Sequence, residues 1–200
     1  MLQHALEQLP AHGVLATDLF RIAEATGDAA LMLHALEAEA EGREEGHRAL
    51  PLARASVVLR EQRERSAALE LLRSAARAAP HNYSLWRNLE ELAMATSRYE
   101  VAAEACIGQL RAIGDDSDPG TRAELYYRLG KLALFRLERP QEGLASMRRA
   151  LRLSPGHPPT LEDTGRYLNA GQLWSQQLEF VNLEIAAAGE TVLRQGMVFS

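Results

Sequence analysis

YSLWRNLEELAMATSRYEVAAEAC, residues 83–106, is the stretch on which the fold turns. Trp86, Leu89 and Ala93 recur at helical spacing, and Tyr99 and Ala102 recur again further on. One amphipathic helix accounts for the first three, but the phase breaks at 95–98 and restarts, so two helices are encoded with a tight turn between them. Whether this helix pair stands alone or is the unit of an array governs every later inference.

The pair repeats. With Tyr83 as position 1, Trp86 is 4, Leu89 is 7, Ala93 is 11, Tyr99 is 17 and Ala102 is 20. Thirty-four residues earlier, Ala49 opens a unit with Leu52, Ala55, Leu59, Ala68, Ala75 and Pro80 at 4, 7, 11, 20, 27 and 32. Ala123 opens another, with Tyr126, Leu129, Gly130 and Ala133 at 4, 7, 8 and 11; one extra residue in its turn brings Gly143, Met147, Ala150 and Pro155 to 20, 24, 27 and 32. Units from Pro158 (Leu161, Gly165, Leu168, Trp174) and from Gly13 (Ala16, Leu19, Ala23, Leu36) follow the same register. A period of this length marks stacked pairs, each hiding its apolar face on the next. Pro51, Pro140, Pro158 and Pro159 fall in first turns, where a missing N–H costs nothing. Pro80 and Pro155 close second helices, and Thr121 with Glu124 reads as a capping box.

This set of positions resembles the tetratricopeptide repeat, with a large residue at 4, Leu at 7, small residues at 8, 20 and 27 and Pro at 32. The resemblance implies an all-α, right-handed α-solenoid of antiparallel helix pairs, about five repeats, forming one array over 1–200. Its units are 13–48, 49–82, 83–116, 123–157 and 158–191, with a loop insertion at 115–122. Residues 192–200 read as the start of a truncated further unit or a C-terminal cap, as expected of a segment of a longer solenoid or of ends covered by a partner. Trp86, Leu89, Leu129 and Ala102 are expected to be buried. Glu90 at 8, Gln109 and Glu184 at 27 and Gln177 at 20 depart from the pattern and imply looser packing there.

Composition narrows the function. At 200 residues and 46% hydrophobic, the chain can bury a core. A net charge of -5 argues against nucleic acid, which calls for a concentrated basic surface. Cys106 is the single cysteine, which excludes an intramolecular disulfide and a cysteine-built zinc site; at position 24 it reads as a small core residue. Neither a signal-like start nor a run of 18 apolar residues is present, so a cytoplasmic setting without membrane insertion is expected. The six histidines form no HxxxH pair, and His81 and His157 read as surface residues of equivalent turns. Asp115, Asp116 and Asp118 do not match a calcium loop and read as a solvated turn with a helix-capping Asp. No phosphate loop, GxSxG or paired-carboxylate motif occurs, so no catalytic residue, cofactor or metal site is assigned and the chain is read as not an enzyme.

In the family it resembles, a groove is lined by first helices through positions 2, 5, 6, 9, 12 and 13. Position 5 holds Thr17, Ala53, Arg87, Tyr127 and Glu162, and position 9 holds Arg21, Val57, Glu91, Lys131 and Arg166. The implied partner-binding set is Arg87, Asn88, Glu91, Tyr127, Arg128, Lys131 and Arg166, a mixture that suits an extended acidic peptide or a chain carboxylate. Arg87 with Glu91 and Glu162 with Arg166 also serve as i,i+4 pairs that steady exposed helices without any ligand. The family's carboxylate-holding arrangement is matched only by Asn88 and Arg128; Ala53, Val57 and Glu124 occupy its other places. The sequence thus reads as a protein-protein interaction scaffold that binds a partner protein or acidic peptide on a concave face. The alternative is an assembly module that stacks end to end, self-associating through terminal repeats or joining the rest of a longer repeat protein.

Overall fold

The computed structural model describes residues 13–172 and 180–182. The expectations for Trp174, Gln177, Glu184 and 192–200 lie outside them. Among the described residues the regular structure is helical: α1 (Gly13–Thr26), α2 (Ala29–Glu41), a short 3-10 turn (Glu45–His47), α3 (Ala49–Glu61), α4 (Arg65–Ala78), α5 (Tyr83–Ala95), α6 (Tyr99–Ile113), α7 (Pro119–Phe135), α8 (Pro140–Leu153) and α9 (Pro158–Ala170). First helices begin at Gly13, Ala49, Tyr83 and Pro158, the four residues at which the repeat register opens its units. The longer turn between α7 and α8 holds the extra residue expected there.

The fourth unit, expected to open at Ala123, starts early. Asp118 accepts the Thr121 N–H at 2.7 Å, and Pro119 supplies the first helical residue without losing a bond. The insertion therefore ends in a helical turn that extends α7, and the cap is Asp118, not a Thr121–Glu124 box. Asp28 and Asn82 cap α2 and α5 in the same way.

The chain forms two compact units, 1–112 and 113–200. In the first, α2 packs on α1 and α3, and α4 packs on α3 and α5. Ala16, Leu19, Ala23, Leu36, Ala55, Ala68, Ala75, Leu89, Ala93, Ala102 and Cys106 are all buried. The alanines let helix axes approach closely while the leucines fill the layer between. Trp86 is buried because Gly108 on α6 leaves room for it: a Cβ at 108 would stand 2.2 Å from the indole. The indole N–H donates to the Pro80 carbonyl at 3.0 Å, which fixes the ring against the turn. Arg73 and Arg77 of α4 reach Glu104 of α6 at 2.6 and 2.8 Å and tie second helices together.

The departures at 8 and 27 meet each other. Gln109 Nε2 donates to Glu90 Oε2 at 2.5 Å, with both side chains buried in the α5–α6 pair. Where the units opening at Ala49 and Ala123 place two small residues (Ser56 with Ala75, Gly130 with Ala150), this unit places a carboxylate and an amide that bond to each other, while the amide oxygen of Gln109 is buried without a hydrogen-bond partner. The expected loosening is replaced by a buried polar bond.

In the second unit α7 and α8 cross at Gly130 and Gly143, where a Cβ on 130 would lie 3.0 Å from the Gly143 carbonyl. α9 packs on both helices. Leu134, Leu144, Met147, Leu151, Leu168 and Phe180 form the core. Leu129 departs from expectation: it is half-buried, while Leu125 and Leu132 on the same helix take the buried places. Tyr126, at the position equivalent to Trp86, lies under the Arg149 guanidinium, 5.6 Å from ring centre to charge, instead of inside an apolar layer.

Turns inside the pairs share one feature. The residue at position 15 of each unit has positive φ: Gly27 (70°), Arg63 (65°), Ser97 (57°) and Gln172 (52°), with Glu138 (56°) at the same place after the extra residue. Glu64 and Arg98, just after two of them, donate N–H bonds back to Leu59 and Ala93 at 2.9 and 2.8 Å, closing the first helix in a left-handed cap.

Candidate partner-binding site

Four polar side chains converge in the second unit. Position 5 of α7 provides Tyr127, position 9 provides Lys131, and α9 provides Asp163 at position 6 and Arg166 at position 9. Tyr127 donates its hydroxyl hydrogen to Asp163 Oδ2 at 2.9 Å. Lys131 Nζ donates to the tyrosine oxygen at 3.0 Å and stands 3.0 Å from the same carboxylate. Arg166 reaches Asp163 at 3.3 Å and Glu162 at 2.7 Å.

Burial sorts these groups into support and display. The Asp163 side chain is only 7% exposed, whereas those of Lys131 and Arg166 are 53% and 64% exposed. Burial pushes the Asp163 carboxyl up, but hydrogen bonds from Lys131 and Tyr127, with the Lys131 and Arg166 charges, outweigh it and hold the group below the usual carboxylate range. The Tyr127 hydroxyl and the Asp163 carboxylate raise Lys131, so it stays charged. Burial, first among the causes, raises Tyr127 and keeps the phenol neutral. An ammonium has three N–H donors and a guanidinium five, so each cation keeps donors beyond those directed at Asp163. The arrangement holds two exposed cations over a buried anion.

Tyr127, Lys131 and Arg166 of the expected set are thus brought together, and Asp163 is the member the sequence reading passed over. Its signal was available, since position 6 of the unit opening at Pro158 belongs to the face already singled out. Arg128 lies beside Glu124 at 3.8 Å, and His157 Nε2 is 3.5 Å from the same glutamate. His157 is half-buried, bonded through Nδ1 to the Thr160 hydroxyl at 2.7 Å and edge-on to Tyr127, where a surface turn residue was expected. Arg87, Asn88 and Glu91 lie on α5 in the first unit. Arg87 pairs with Glu91 at 3.7 Å, so both i,i+4 pairs expected from sequence form.

Among the described residues no cluster of three or more His, Cys, Asp or Glu is placed to hold a metal ion. No helix among them is long and apolar enough to cross a membrane. No protein family matches the chain, and no curated protein is similar enough to match it. Solved structures similar to it include YrrB, a tetratricopeptide-repeat protein with an unusual peptide-binding site (14% identity, 100% of this chain and 98% of that one, TM-score 0.49). MamA from Desulfovibrio magneticus RS-1, residue 41 to the end, is another (15%, 88% and 93%, 0.45). Pseudomonas aeruginosa PilF is a third (19%, 88% and 76%, 0.46). By its own repeat spacing, its helix pairs and the small residues at its helix crossings, the chain is a tetratricopeptide-like helical-repeat protein.

Proposed function

We propose that the chain is a non-enzymatic protein-interaction scaffold whose first-helix face takes an acidic segment of a partner. The observation that supports this reading most directly is the display of Lys131 and Arg166 over the buried Asp163 carboxylate. Free lysine and arginine side chains lose roughly 1.5–2 kcal/mol of rotamer freedom when a ligand fixes them. Asp163 and Tyr127 have already fixed Lys131, so a ligand carboxylate meets a preorganised donor at lower cost. In the first unit, Arg87 and Asn88 hold positions 5 and 6 of α5, the places that Tyr127 and Arg128 hold on α7.

Fluorescence anisotropy with a labelled hexaglutamate peptide tests the reading. Lys131→Ala with Arg166→Ala is expected to weaken binding at least about tenfold, as loss of two charge-assisted contacts implies. The difference between wild type and variant should shrink at high salt. Wild-type affinity equal to that of a hexaserine peptide, or full affinity in the double variant, removes the proposal.

A further inference from the structure

A cleft of about 420 Å³ in the first unit is lined by Val57, Arg60, Glu61, Arg65, Leu92 and Ala95. Its volume falls within the range of small-ligand sites, roughly 300–1,000 Å³. The wall is aliphatic. Val57, inside α3, is 49% exposed and presents its side chain there. The rim is basic, for reasons of backbone geometry. Arg60 lies in the last turn of α3 and Arg65 opens α4, and the left-handed Arg63 between them folds the chain back so that both stand on one cleft.

These two arginines are unlike most others in the protein. Arg43, Arg73, Arg77, Arg122 and Arg166 each sit on a carboxylate. Among the described residues, Arg60 and Arg65 have neither an ion pair nor a side-chain hydrogen bond. α4 also begins without a side-chain cap, so the positive end of its dipole adds to the same rim. Glu61 leaves the lining with one net positive charge, which suits a single carboxylate and disfavours a run of them.

We propose that this cleft binds an aliphatic group carrying one carboxylate, with the chain against Val57, Leu92 and Ala95 and the carboxylate between Arg60 and Arg65. The chemistry is shared by a short free fatty acid and by the C-terminal aliphatic residue of a peptide. None of its lining residues belongs to the α7–α9 cluster.

The full chain, labelled with ¹⁵N, would be titrated with hexanoate, acetyl-leucine, hexanamide and acetyl-leucine amide while backbone amide shifts are followed. Saturable shifts at Val57, Leu92 and Ala95 are expected with either acid or with both, and the tighter of the two identifies the source. Each amide should bind at least about tenfold more weakly, since the charge-assisted contacts are lost. Arg60→Gln with Arg65→Gln should weaken the acids by a similar factor. Ala95→Phe, at an exposed helix end, should block the cleft without moving the charges or the thermal melt. Absence of saturable shifts, equal binding of acid and amide, or acid binding unchanged in both variants would each overturn the proposal.

Discussion

Replacing Gly108 by Ala puts the packing of the α5–α6 pair to a test of sign. Ordinarily Gly→Ala inside a helix stabilises by about 0.5–1 kcal/mol, because the unfolded chain loses freedom. Here the new Cβ would fall 2.2, 2.4 and 2.6 Å from three indole carbons of Trp86. Unstrained carbon contacts need about 3.5 Å, so the ring must retreat by roughly 1 Å. It has little room, being 6% exposed and bonded through its N–H to Pro80. Overpacking of this kind costs about 1–3 kcal/mol, and losing the indole bond adds about 1. After the propensity gain, a net loss of about 1–3 kcal/mol is expected. Gly165 on α9 is the control: nothing lies within 4 Å of its built Cβ, and Gly165→Ala should stabilise by about 0.5–1 kcal/mol. Urea unfolding followed by helical circular dichroism gives the midpoints, and an unchanged slope shows that the difference is one of stability. Amide hydrogen exchange in α5 and α6 localises the loss, because repeat arrays can unfold in parts. A Gly108→Ala protein as stable as the parent would refute the assignment of Gly108 as the recess for Trp86.

Two further outcomes follow from the polar groups. Glu90→Ala and Gln109→Ala should each destabilise by about 1–3 kcal/mol through a buried partner left wanting, while the double variant, with small residues restored at both places, should lose less than the sum. A double-mutant cycle with no coupling energy would show that the 2.5 Å bond does not bind the pair together. Asp163 has a depressed carboxyl pKa when folded, so its contribution is present above the unfolded value near 4 and is lost as pH falls through the folded value. The urea midpoint should therefore drop as pH falls below about 4, less steeply in Asp163→Asn, and parallel curves would remove Asp163 from the acid transition.

Four of the five first-helix starts were legible because each unit states its register several times over, through residues at 4, 7, 11 and 20 and through prolines that tolerate only certain places; the start of α7 was not, because Asp118 and Pro119 were read as part of a loop. The half-burial of Leu129 was not, since position 7 marks a face but not what covers it, and Leu125 and Leu132 compete for the interior from the same helix. Glu90 and Gln109 were judged one at a time as departures, although positions 8 and 27 face each other across the pair and a joint reading reveals the compensation. Asp163 escaped for a related reason. The face was scored by its cations, whereas the structure builds the site around the anion beneath them. The left-handed turns announced themselves only at Gly27, because Arg63, Ser97, Glu138 and Gln172 carry no local signal for positive φ.

Those four turns bear on how the protein can change. A left-handed non-glycine residue costs about 1–2 kcal/mol, so together they hold roughly 4–8 kcal/mol, comparable with the 5–15 kcal/mol by which whole domains are stable. Glycine would relieve part of that, about 0.5–1 kcal/mol per site after its own unfolded-state entropy. All four residues are exposed, and none belongs to the α7–α9 cluster or lines the aliphatic cleft. At Ser97, Glu138 and Gln172, thermal tolerance is therefore written in residues apart from ligand preference, whereas Arg63 also sets the turn that carries Arg60 and Arg65.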